Sequence, residues 1–136
     1  MKNRSELREV IMKVIYQVNL LEDTNLDYDL GDLIKEQLEI KNDFVNSSVD
    51  GIIEHKKEIY ELANKYLNKW TIERLNKVDQ AILALGIYEL MYTDTPSIVA
   101  INEAIELSKK YSDDKVVKIV NAVLDKIRDN EAINEW

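Results

Sequence analysis

Apolar residues along this chain recur every three or four positions and almost nowhere in alternation, so the pattern predicts helices throughout. Leu7, Val10, Ile11, Val14, Ile15, Val18 and Leu21 fall on one face of a first helix. Arg4, Arg8, Lys13 and Gln17 lie outside that face or at its flank. Asp23-Thr24-Asn25 supplies turn chemistry, and a second helix is predicted from about Tyr28 to Ile40 on Leu30, Leu33, Ile34 and Leu38. Asn42-Asp43 offers an N-cap to a third segment carrying Phe44, Val45, Val49, Ile52 and Ile53. The period continues through Ile59, Tyr60, Ala63, Tyr66, Leu67 and Trp70, with a break favoured near His55. Thr71 is expected to cap a short helix and Asp79 the next, each flanked by an apolar staple, Trp70 with Leu75 and Val78 with Leu83.

The run Ala81 to Tyr88 is apolar nearly all round, the signature of a helix buried on several sides, and is the candidate central helix. Thr93-Asp94-Thr95-Pro96 must turn, because proline disfavours helix at the residue before it, and Ser97 is expected to cap Ile98 to Tyr111. After Ser112-Asp113-Asp114, a last helix carries Val116, Val117, Ile119, Val120, Val123, Leu124 and Ile127, and Asp129 to Trp136 reads as a frayed tail. The class is all-α, with about seven helices.

Three glycines and one proline leave few breakers, and 136 residues suffice for one domain with its own core. No cysteine is present, which removes disulfides, thiolate metal sites and cysteine nucleophiles. No unbroken apolar stretch reads as a signal or membrane span, so a cytoplasmic protein is expected. The net charge of −8 opposes nucleic-acid binding as a sum. Its distribution does not: residues 1–20 hold four bases against two acids, whereas residues 21–64 hold twelve acids and four bases. The first helix is the one basic stretch, a pattern that fits either a binding edge or an ordinary solvated face.

Catalytic chemistry finds little footing. His55 is the only histidine, paired acids such as Glu103 and Glu106 are ordinary on an acidic helix face, and Gly31, Gly51 and Gly86 stand apart with no phosphate-cradling loop. Neither an enzyme nor a metal or cofactor site is expected. Tyr16 lies around from the apolar centre on the side that also presents Arg8 and Met12, where a ring beside cations can stack an unpaired base. Spacing alone favours a Tyr16 that simply borders the core.

The stretch Thr93 to Tyr111, a proline turn followed by Ala100-Ile101-Asn102-Glu103-Ala104, resembles the most recognisable block of the NusB family. Val78 to Leu83, Tyr88-Glu89-Leu90 and Val120 to Asp125 support the likeness. The resemblance implies a NusB-like domain of two small packed helical subdomains, here about residues 1–70 and 71–128. It also implies a transcription antitermination factor that binds single-stranded box A RNA of ribosomal transcripts together with the ribosomal protein NusE. On that resemblance Arg4, Arg8 and Tyr16 match RNA-holding positions of the first helix, and Lys115, Lys118 and Ile119 fall where the last helix meets RNA. Lys2 and Lys13 are nearby cations added on charge grounds, and Asp79 matches an acidic position that faces the ribosomal protein. The implied assembly is the elongating RNA polymerase complex; a homodimer is left open and no membrane is involved.

The chain departs from the family in placing Glu6 and Glu9 among its bases, and in having Ile119 and Ala122 where an aromatic and a glycine are common. Two rivals follow: a helical protein-interaction module that has lost RNA binding, and the accessory domain of a ribosomal RNA methyltransferase. The second is expected to fail, since the sequence to Trp136 holds no Gly-rich cofactor loop and no cysteine nucleophile.

Overall fold

The computed structural model describes residues 2–131. Among them are α1 (Arg4–Asp23), α2 (Leu30–Gln37), α3 (Asp43–Glu54), α4 (Lys56–Tyr66), a 3-10 turn (Ile72–Arg74), α5 (Lys77–Tyr92), α6 (Ser97–Tyr111) and α7 (Asp114–Asn130), with no strand. The class is all-α, as the periodicity predicts.

Local chemistry sets the boundaries. Asn3 caps α1 by accepting from Glu6 N–H while the Glu6 carboxylate accepts from Asn3 N–H, both at 2.9 Å, a reciprocal capping box. Asn42 caps α3 through Val45 N–H at 3.0 Å, and the chain breaks at His55. The second helix is shorter than predicted, because Asp29 caps it through Asp32 N–H and Leu38 is already extended. Asp79 does not cap α5: Asn76 does, accepting from Asp79 N–H at 2.9 Å. Thr71 makes no side-chain cap bond, and the Ile72 N–H is taken by Asn64 instead, at 2.7 Å. Nor does Ser97 cap α6; Pro96 precedes the helix and its carbonyl accepts from Val99 and Ala100. Asp129 and Asn130 continue α7 rather than fraying, and residues 132–136 of the expected tail lie outside the described residues.

α5 is the hub. Asp79 to Leu90 are buried on every side, and the helix packs against α1, α3, α4, α6 and α7. Its apolar circumference gives the reason, since each buried Leu or Ile contributes about 1.5–3 kcal/mol of favourable transfer. α1 lays Leu7, Val10, Ile11, Val14, Ile15 and Val18 against this hub and α3. It runs antiparallel to α5, for Arg8 meets Glu89 near one end and Asp23 meets Lys77 at the other. α6 returns after the Thr93–Pro96 turn and so runs alongside α1, with Ser5 bonded to Glu103 and Glu9 to Lys110. α3 crosses α5 so closely that a Cβ on Gly51 would lie 2.5 Å from the Tyr88 ring.

Candidate nucleic-acid interface

The start of α1 reaches the end of the bundle where α5 stops and α6 begins. Arg8 does not stand outside the apolar face there; it is buried, 6% exposed, and its guanidinium forks onto Glu89 at 2.7 and 3.0 Å. Its remaining Nη1 donates to Glu103 at 3.2 Å, and Ser5 donates to the same Glu103 oxygen at 2.6 Å. Thr95 donates to Glu89 at 3.1 Å. Burial alone would lower the Arg8 pKa, but the bonds and charges of Glu89 and Glu103 outweigh it, and the pKa is raised. Two carboxylates thus already neutralise Arg8, the cation expected to meet phosphate.

Arg4, one turn earlier, is different. It is exposed, it has no ion pair among the described residues, and its guanidinium lies 3.9 Å from the centroid of Phe44 at the start of α3. Lys2, just before the helix, is also exposed and free of an ion pair among the described residues. Arg4, Arg8 and Phe44 line a cleft of about 380 Å³ together with Ser47, Ser48, Tyr88, Thr93 to Pro96 and Val99. Sequence reasoning placed Phe44 only in an apolar stripe. The chain's single phenylalanine directly after a capping pair was the signal, but nothing in it told that a cation would cover the ring.

Lys13 and Tyr16 do not share the Arg4 side. They belong to the stripe Glu9, Lys13, Tyr16 and Leu20, spaced by four, three and four, of which Glu9 meets the end of α6. Glu9 gathers Lys110 at 2.8 Å, the Tyr111 hydroxyl, and Lys13 at 3.8 Å. Burial raises the Glu9 pKa, yet the bonds from Lys110 and Tyr111 prevail and it is lowered. Burial and Glu9 push the Tyr111 hydroxyl up to about 12. Tyr16 is half-buried and packs on the core, as its spacing suggests.

The remaining expected residues sit at the opposite end of the bundle. Asp79 is 2% exposed, and its carboxylate takes the Ser112 hydroxyl of the α6–α7 connection. Burial pushes its pKa up, with Asp113 adding repulsion against the opposing effect of Ser112. Asp79, expected to face a protein partner, is a buried carboxylate in the structure. Lys115 and Lys118 are exposed on the first turns of α7, and Ile119 is half-buried. Lys115 lies over Trp70, whose ring also carries Arg74, each cation 5.3 Å from the ring. Trp70 and Arg74 were not among the expected site residues, although a tryptophan between Lys69 and Arg74 is a visible cue.

Among the described residues no cluster of acidic and histidine side chains is gathered to hold a metal ion, and no helix is long and apolar enough to cross a membrane. The NusB family profile matches residues 5–129. The transcription antitermination protein NusB of Ligilactobacillus salivarius is 42% identical over 123 residues, covering 86% of this chain and 94% of that protein. Its counterpart in Clostridium perfringens is 37% identical over 134 residues, covering 94% and 98%. The fold matches T. maritima NusB with a TM-score of 0.82 at 33% identity, covering 98% of this chain and 96% of that one. It also matches a chain in the structure of the antitermination factors NusB and NusE in complex with dsRNA, with a TM-score of 0.79 at 30% identity, covering 93% and 96%.

Proposed function

Because the chain belongs to the NusB family, we propose that it is a non-enzymatic transcription antitermination factor that holds single-stranded box A RNA of ribosomal transcripts jointly with the ribosomal protein NusE, on the elongating polymerase. The observation that carries this reading is the free cationic edge at the head of α1, where Lys2 and Arg4 are exposed and without carboxylate partners among the described residues. Lys115 and Lys118 extend it at the far end of the hub helix, with Ile119 beside them. A strand touching both ends follows α5 for about 24 Å, which an extended single strand spans in a few nucleotides. NusE is then needed to complete a surface on which Arg8 and Lys13 are already neutralised.

Four free cations imply a shallow salt dependence, a log–log slope of roughly −3 for a single strand. Titrating labelled box A RNA at several salt concentrations, with and without NusE, measures it. Absence of binding in low salt with NusE present would overturn the reading. That outcome would favour the protein-interaction module, for which the net charge of −8 and the acidic partners of Arg8, Lys13 and Lys110 speak.

A further inference from the structure

Resting on that RNA reading, we infer that the cleft between Phe44 and the Thr93–Pro96 turn is a pocket for one unpaired base, with Phe44 as its stacking platform. The Phe44 ring is half-buried and carries the exposed Arg4 guanidinium at 3.9 Å, with the buried, ion-paired Arg8 guanidinium farther off at 5.6 Å. An aromatic face occupied by a side chain with no ion pair among the described residues is a face that a base, itself planar, can take over. Arg4 is then released to the phosphate of the same nucleotide, so one exchange supplies both contacts.

The cleft volume of about 380 Å³ is in the range of small-ligand sites and fits a nucleoside. Its walls are held in place before any ligand arrives. Tyr88 is wedged against Gly51, and Thr95 is tied through Glu89 to the buried Arg8 fork. A preformed pocket spares the ordering cost that binding otherwise carries. Asp94 stands on the rim. Its carboxylate repels a phosphate but accepts from an exocyclic amine, so the base edge points toward it while the backbone stays on the Arg4 side. A paired base is stacked on both faces and cannot enter, so the pocket reads single strands only.

The test uses the full chain with NusE and box A RNA in which 2-aminopurine replaces one base at a time. One position is expected to lose fluorescence on binding, and a duplex of the same sequence is expected to lose none. Phe44→Leu should abolish that quench and weaken binding roughly 5- to 100-fold, while Phe44→Trp retains both. Ser47→Trp, at an exposed position on the cleft wall, fills the pocket without touching the core and should act like Phe44→Leu; it decides the matter if circular dichroism shows Phe44→Leu unfolded. If wild type binds RNA and a folded Phe44→Leu or Ser47→Trp keeps both affinity and quench, the pocket is refuted while the RNA reading stands. Equal quenching by the duplex refutes it too, and no RNA binding by wild type refutes both.

Discussion

Glu89 and Asp79 stand at opposite ends of α5, 1% and 2% exposed, and their treatment differs completely. Glu89 is answered by a bidentate arginine and a threonine hydroxyl, whereas Asp79 is answered by the hydroxyl of Ser112. The first arrangement ties α1, α5, α6 and the Thr93–Pro96 turn into one rigid head, beside which the cleft lies. The second leaves a carboxylate poorly compensated, its pKa pushed up by burial, where α5 meets the α6–α7 connection. A buried charge that meets an opposite charge fixes architecture. One that meets only a hydroxyl is held at a cost.

Breaking the well-compensated end gives the largest effect. Arg8→Ala takes the bidentate cation away from buried Glu89 and leaves a hydroxyl where an opposite charge stood, so denaturant unfolding should show a loss of about 3–5 kcal/mol. Arg8→Met combined with Glu89→Leu should recover much of that loss, and failure to recover would mean that Arg8 contributes chiefly through Glu103. At the other end the sign reverses. Asp79 has a raised pKa in the folded chain, so its ionised form disfavours folding once the pH exceeds that value, and the penalty is absent below the usual carboxylate range. Asp79→Asn should therefore raise the melting temperature at neutral pH, with the gain shrinking as the pH falls; a constant gain would disprove the electrostatic account. Between the ends, the exposed Lys110 on Glu9 matters least, and Lys110→Ala should cost under about 1 kcal/mol. Glu9 has a lowered pKa, so its contribution is present at neutral pH and lost as the pH falls through that lowered value. Thermal melts of Lys110→Ala across the acid range should show a flatter loss than wild type.

The helices were legible because each is written in local spacing and caps. The run Ala81 to Tyr88 announced the hub, Asn42 announced α3, and the break at His55 followed from the pattern around it. Placement of single charges was not legible. The partners of Arg8 lie 81 and 95 residues away, and helical spacing shows which way a side chain leaves its helix but not what covers it. The same limit applies to Tyr16, which spacing sets beside Arg8, whereas Arg8 is buried under α5 and α6 and Tyr16 packs half-buried on the core. Asp79 was mistaken for a cap because Asn76, three residues earlier, offers the same chemistry and takes the N–H first. The Phe44 cleft is invisible in the sequence because its lining comes from the start of α1, the start of α3, the end of α5 and the turn into α6, which only the fold brings together.

The distance in sequence between Arg8 and its acceptors also orders events during synthesis. The guanidinium emerges from the ribosome well before Glu89 and Glu103 exist, so the nascent amino-terminal helix carries an unquenched positive charge and an apolar stripe with no hub to cover it. Translation through α6 neutralises the one and buries the other, which makes maturation of the amino terminus contingent on the carboxyl-terminal half.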